Sequence, residues 1–114
     1  MTSSGSTRVF ATYGAVSAAK AALESHTRQL ALELAPYGIA VNALRGGVTD
    51  TPALRKIPGN EQMIERVLSM HPAGRLTTPA DVAGALVALC SDGAAWVSGN
   101  VIGVDGGEDV AGGR

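Results

Sequence analysis

The sequence predicts an α/β fold in which two short parallel strands are joined by helices. Apolar residues recur at helical spacing over three segments, and two short apolar runs, 39–44 and 100–104, are bounded by turn residues. The order helix, strand, helix, helix, strand is that of a right-handed crossover between parallel strands. Two strands leave open edges, whereas parallel sheets are normally covered on both faces. We therefore expect 1–114 to be a single partial domain.

The first helix is predicted from Tyr13 to about Pro36, because apolar residues share one face and Pro36 and Gly38 end it. The apolar run 39–44 follows as a buried strand and stops at Gly46-Gly47. Residues 48–58 are expected to form a loop, since two proline-preceding positions in it disfavour helix.

Two further helices are predicted in the second half of the chain. Asn60 is a candidate cap for the first of them, which ends before Pro72. The run Thr78-Pro79-Ala80-Asp81 is typical of a helix start, with a capping hydroxyl, a proline at the first position and an acid in the first turn. The second strand then covers 100–104, and 108–114 are expected to form a flexible tail.

Composition and charge argue against several classes of function. The net charge is −1 and no block of Lys and Arg occurs, so neither nucleic acid nor an anionic membrane surface is an expected partner. No apolar run reaches the ~18 residues of a spanning helix, and no signal peptide pattern is present. The single cysteine, Cys90, is compatible with a reducing cytoplasm. No histidine or cysteine has a partner at ligand spacing, so no metal site is predicted.

Tyr13 and Lys20 are the first candidate pair for chemistry. Seven helical residues turn about 700° and rise about 10 Å, which places both side chains on one face. A nearby ammonium favours the ionised form of a phenol, as suits a proton donor near neutral pH. The alternative is a helix-start tyrosine packed on the core beside a solvated lysine.

Several motifs occur in a fixed order after Ser3: Tyr13-x6-Lys20, Lys20-Ala21-Ala22-Leu23-Glu24, Gly38-Ile39-Ala40-Val41-Asn42-Ala43, Gly46-Gly47-Val48-Thr49-Asp50-Thr51, Pro72-Ala73-Gly74-Arg75, Gly99-Asn100-Val101-Ile102 and Val104-Asp105-Gly106-Gly107. By these motifs, residues 2–107 resemble the C-terminal half of a short-chain dehydrogenase/reductase. That implies the last two strands of a Rossmann-like doubly wound sheet. Most of that superfamily has Tyr-x3-Lys, but position 16 here is Val16. The Tyr-x6-Lys spacing and the Gly46-Gly47 pair resemble the enoyl-acyl-carrier-protein reductases of the enoyl reductase III type.

The resemblance implies reduction of a trans-2-enoyl thioester of acyl carrier protein or coenzyme A by NADH or NADPH, in fatty-acid synthesis. The implied catalytic residues are Tyr13, Lys20 and Ser3; the cofactor-binding residues are Lys20, Gly47, Val48 and Thr51; the substrate-binding residues are Tyr13, Met63, Ile64 and Val67. Tyr13 would stabilise the enolate that forms on the thioester oxygen. A plain loop serine and simple core packing remain alternatives for Ser3 and for the apolar residues of the substrate-binding segment, 52–71.

The resemblance also implies a homo-oligomer, dimer or tetramer, built partly on the long helix. The glycine-rich turn that holds the cofactor pyrophosphate in this family has no counterpart in the sequence, so the chain alone is expected to lack most of the dinucleotide affinity. Two other readings stay open. One is a short-chain reductase acting on a carbonyl or alcohol; the other is a non-catalytic fragment that associates with a partner chain.

Overall fold

The computed structural model describes residues 1–111, which fold as alternating helices and strands. The elements are α1 (Gly14–Leu34), β1 (Ala43–Gly46), α2 (Pro52–Arg55), α3 (Asn60–Met70), α4 (Pro79–Leu89), β2 (Val101–Val104) and α5 (Glu108–Ala111), with 3-10 turns at Ser4–Ser6, Ala35–Tyr37 and Asp92–Ala94. Within this range, no helix combines the length and the apolar character that crossing a lipid bilayer requires.

The sheet is built from two parallel strands, as the sequence predicted. β1 and β2 pair in register from Ala43 opposite Val101 to Gly46 opposite Val104. Thr2 forms a parallel bridge with Arg45, and its N–H donates to the carbonyl of Leu44 over 2.8 Å. The N-terminal residues therefore line the edge of β1 that β2 leaves open.

β1 lies further along the chain than the predicted run 39–44. Its start is delayed because the preceding residues bond to the loop before β2 instead of to a strand. The N–H of Val41 donates to Ser98 Oγ over 3.0 Å, and the Asn42 amide donates to the carbonyl of Val97 over 2.7 Å. At the other end, Gly46 stays within the strand and Gly47 extends the ladder by donating to the carbonyl of Val104.

The predicted loop 48–58 contains the helical turn α2. Thr51 is its N-cap and accepts a hydrogen bond from the N–H of Leu54, while Pro52 occupies the first helical position. A proline disfavours helix at the residue before it and inside a helix, but it is well suited to the first turn. The cap of α3 also differs from the prediction, since Gly59 (φ 81°) precedes the helix and Asn60 is its first residue.

The predicted start of α4 is confirmed in detail. Thr78 accepts from the N–H of Asp81, and the Asp81 carboxylate accepts from the N–H of Thr78 over 2.8 Å, which completes a capping box. The hydrogen bonds from Arg75 and Thr78 lower the pKa of Asp81. The first turn of α4 is thereby fixed by local bonds alone.

Residues 108–111 form α5 rather than the start of a flexible tail, and 112–114 lie outside the described residues. The turn is held by its two acids. Glu108 accepts from the N–H of Val48, and Asp109 pairs with both Arg8 and Arg45. These partners are 60 or more positions away, so no local pattern could reveal them.

The apolar core is small. Of the described residues, only Ala43 and Leu44 are buried hydrophobic residues, and the accessible surface is 7382 Å². A folded monomer of 11.5 kDa is expected to expose about 5,800 Å². Trp96 is 99% exposed. Leu32 and Val87 are each 72% exposed, so apolar surface is available on α1 and α4.

Candidate functional site

Tyr13 and Ser3 meet beside the edge of β1. Tyr13 is the N-cap residue of α1, and its carbonyl accepts from the N–H of Ser17 over 2.8 Å. Its hydroxyl lies 3.4 Å from Ser3 Oγ. Ser3 caps the 3-10 turn Ser4–Ser6 by accepting from the N–H of Gly5, which fixes the direction of its side chain. The two hydroxyls therefore come from separate capping positions.

Lys20 reaches the same N-terminal segment. Its Nζ donates to the carbonyl of Met1 over 3.0 Å, two residues from the serine that contacts Tyr13. The seven-residue spacing thus brings the phenol and the ammonium to one stretch, residues 1–3. An ammonium has three N–H donors, so this contact leaves Lys20 with two donors for other partners.

The end of β1 is more fully bonded than sequence analysis expected. The N–H of Gly47 donates to Val104, the N–H of Val48 donates to Glu108 Oε2 over 2.8 Å, and the carbonyl of Val48 accepts from Thr77. The N–H groups of Gly47 and Val48 are therefore engaged within the chain, while each of their carbonyls accepts one hydrogen bond and keeps a second lone pair. Thr51 uses its oxygen to cap α2 and retains its own hydroxyl proton as a donor.

Glu108 is the unexpected acid at this edge. Burial raises the pKa of its carboxyl, and the hydrogen bond from the N–H of Val48 opposes that rise. Gly47 permits the close approach, since a Cβ there would lie 2.6 Å from Glu108 Oε2 and 2.5 Å from Thr77 Oγ1. The absence of a side chain at Gly47 is thus what lets the acid reach the Val48 amide.

His71 is a buried structural residue at the end of α3. Its Nδ1 accepts from the N–H of Ala73 over 3.0 Å, so the proton lies on Nε2, which donates to the carbonyl of Asp105 over 2.9 Å. Both ring nitrogens are occupied. A cavity of about 420 Å³ opens beside it, lined by the turn at 103–107 and by Arg75 to Thr77.

The substrate-binding residues predicted on α3 share one side of that helix. Met63, Ile64 and Val67 are half-buried, and α3 packs against α5. The segment 52–71 consists of α2, a turn and α3. Sequence reasoning missed Arg8 and Asp109, because their ion pair joins residues 101 positions apart.

Comparison with known proteins identifies the family. The family model described as Enoyl-(Acyl carrier protein) reductase matches residues 1–108. A 1-cyclohexenylcarbonyl-CoA reductase of Streptomyces collinus is 40% identical over 112 residues, covering 96% of this chain and 40% of the relative. A 3-oxoacyl-[acyl-carrier-protein] reductase of Thermotoga maritima is 42% identical over 90 residues, covering 79% of this chain and 36% of the relative.

The fold agrees with that of a solved family member. The crystal structure of enoyl-[acyl-carrier-protein] reductase (NADH) from Aquifex aeolicus superposes with a TM-score of 0.88 at 35% identity, covering 99% of this chain and 44% of that one. The chain spans about 40% of the length of the relatives it matches. The parallel strands and their helices are accordingly part of a Rossmann-like sheet, and the chain belongs to the enoyl-(acyl carrier protein) reductase family of oxidoreductases.

Proposed function

We propose that this chain carries the substrate-activating end of an enoyl thioester reductase. The reaction is the reduction of a trans-2-enoyl thioester of acyl carrier protein or coenzyme A with NADH or NADPH, as in fatty-acid synthesis. One observation carries the proposal: the Tyr13 hydroxyl, the Ser3 hydroxyl and the Lys20 ammonium all converge on residues 1–3. A donor and a cation at one strand end suit a reaction in which negative charge develops on an oxygen.

The position of the phenol favours an enoyl over a carbonyl substrate. The nicotinamide supplies a hydride, which reaches the β-carbon of an enoyl thioester or the carbonyl carbon of a ketone. In the enoyl case the charge appears on the thioester oxygen, three bonds from the reacting carbon, whereas in a ketone the oxygen is one bond away. Tyr13 lies almost a helical turn before position 16, where Val16 offers no hydroxyl and is 43% exposed. Tyr13 would donate to that distant oxygen, with Ser3 orienting it.

The residues free to hold the nicotinamide half of the cofactor are Lys20 and Thr51. Lys20 has two N–H donors left for ribose hydroxyls, and Thr51 keeps a hydroxyl proton for the carboxamide. Gly47 and Val48 would contribute carbonyl oxygens, each with one lone pair left, because their N–H groups are engaged within the chain. We assign the acyl chain to the side of α3 that presents Met63, Ile64 and Val67.

Self-association is the expected assembly, as a dimer or tetramer. Leu32 on α1 is 72% exposed, and the outer edge of β2 is unpaired in the described chain. Both features are costly when left in water. The third reading is a non-catalytic fragment bound to a partner chain, and that partner would cover the same two surfaces, the exposed face of α1 and the outer edge of β2. Tight dinucleotide binding by a monomer in size-exclusion chromatography would contradict that reading.

The deciding experiment compares the turnover of two thioester substrates and the effect of replacing each of two tyrosines. Oxidation of NADH and NADPH by the purified chain is followed with crotonyl and acetoacetyl thioesters; we expect crotonyl thioester to be preferred. Tyr13→Phe should lower turnover by about 10²-fold or more. Tyr37→Phe is the matched control, since Tyr37 is 76% exposed and remote from Ser3 in the chain. Preference for acetoacetyl thioester, or equal turnover of Tyr13→Phe and wild type, would refute the proposal.

A further inference from the structure

Gly5 lies against the Cδ1–Cε1 side of the Tyr13 ring. Gly5 is buried, and a Cβ built on it would overlap Tyr13 Cε1 and come 2.7 Å from Cδ1. Carbon atoms in contact normally stay ~3.5–4.0 Å apart. The φ of Gly5 is not in the left-handed region, so its backbone could be adopted by other residues. The glycine at this position is therefore explained by the space that the Tyr13 ring occupies.

Two further contacts fix the same ring. Phe10 meets it edge to face, with ring centroids 6.0 Å apart and planes at 85°. This is a favoured geometry for aromatic pairs. At the far end of the ring, the hydroxyl lies 3.4 Å from Ser3 Oγ. Gly5 borders the Cδ1–Cε1 side of the ring, Phe10 packs against the ring, and Ser3 contacts its hydroxyl.

The backbone that leads into Tyr13 is also held in an uncommon conformation. Thr12 has φ 64°, the only non-glycine positive φ among the described residues. A β-branched residue rarely adopts this region, and such outliers concentrate at functional sites. Thr12 is followed by Tyr13, whose N–H donates to the carbonyl of Phe10 over 3.2 Å. The turn sets the direction in which the Tyr13 side chain leaves the chain.

We propose that Gly5 is a positioning residue for Tyr13: its lack of a side chain lets the Cδ1–Cε1 side of the phenol ring lie close against the turn at residues 4–6, so that the hydroxyl lies beside Ser3. The purpose of this arrangement rests on the proposed function, in which the Tyr13 hydroxyl meets the thioester oxygen. The arrangement itself is a property of the fold and is testable without turnover. Gly5 touches neither substrate nor cofactor; it acts through the tyrosine.

The primary test uses NMR of the 114-residue chain labelled on its two tyrosines. In wild type we expect nuclear Overhauser effects from the Tyr13 ring to Gly5 and to Ser3. Gly5→Ala should abolish the effect to Ser3 and leave the Tyr37 signals unchanged. Gly14→Ala is the matched control, because a Cβ at Gly14 meets nothing within 4 Å. Retention of the Tyr13–Ser3 effect in Gly5→Ala would overturn the proposal whether or not the chain is an enzyme.

A double-mutant cycle keeps the test decisive if Gly5→Ala unfolds the chain. Removing the ring with Tyr13→Ala gives the new methyl group room, so Gly5→Ala should cost no stability in the Tyr13→Ala background. An equal loss of stability in both backgrounds would show that Gly5 accommodates something other than the ring.

For the active enzyme, Gly5→Ala should lower kcat by about 10-fold or more in wild type and have no effect in Tyr13→Phe. If the nuclear Overhauser effects are as predicted but wild type prefers acetoacetyl thioester, the positioning role of Gly5 stands and the proposed function is refuted.

Discussion

Replacing Gly47 by alanine tests how α5 is attached to the end of β1. A methyl group there would lie 2.5 Å from Thr77 Oγ1, 2.6 Å from Glu108 Oε2 and 3.0 Å from Asp105 Cβ. Three neighbours from two segments cannot all withdraw without moving α5. Overpacking costs about 1–3 kcal/mol, and displacing Glu108 from the Val48 amide forfeits part of a charge-assisted bond worth about 1.5–3 kcal/mol. We expect Gly47→Ala to lower the free energy of unfolding by about 2–4 kcal/mol.

The measurement is urea unfolding followed by circular dichroism, with Gly84→Ala as the matched control. Gly84 is inside α4, and a Cβ there meets nothing within 4 Å. Its replacement should raise stability by about 0.5–1 kcal/mol, because alanine loses less backbone entropy in a helix. Amide exchange at Val48 supplies the second readout and should accelerate only in Gly47→Ala. Stability of Gly47→Ala within about 0.5 kcal/mol of wild type would refute the close packing of this corner.

Three further outcomes are expected. Burial raises the pKa of Glu108 in the folded chain, so protonation of this carboxyl stabilises the fold below its unfolded pKa of 4.5, and that stability is lost as the pH rises through the folded pKa. In Glu108→Gln the free energy of unfolding should not show this fall between about pH 4 and pH 7. A pH profile of stability identical to that of wild type would contradict the prediction. Thr78→Ala removes the hydroxyl that caps α4 and should cost about 1 kcal/mol of stability in urea unfolding, whereas no change would mean that Asp81 caps the helix unaided. Trp96 is 99% exposed, so at low protein concentration acrylamide should quench its fluorescence as readily as that of a free indole. Weaker quenching at that concentration would mean that another surface covers Trp96.

The parts of the fold that local chemistry determines could be predicted from the sequence. The capping box at Thr78 needs only residues three apart, and it forms as expected. The convergence of Tyr13 and Lys20 follows from helical spacing and requires no knowledge of distant contacts. The roles of these two residues in catalysis remain predictions.

The parts that distant contacts determine could not be predicted. β1 begins at Ala43 because Val41 and Asn42 bond to the loop at 97–98, more than 50 positions away. The helical turn at 108–111 forms because Glu108 and Asp109 find partners in the first half of the chain. A stretch of glycine and acidic residues predicts a loose tail unless those partners are known.

The attachment of α5 bears on the order in which the chain can fold as it leaves the ribosome. Arg8, Arg45 and Val48 are synthesised 60 or more residues before their acidic partners, Glu108 and Asp109. Contacts of such long sequence separation form late, since the intervening loop must close first. The turn before Tyr13 and the end of β1 therefore lack these partners until residues 108 and 109 have been made. A ribosome stalled before residue 108 would hold a nascent chain whose helices can form while this corner stays open.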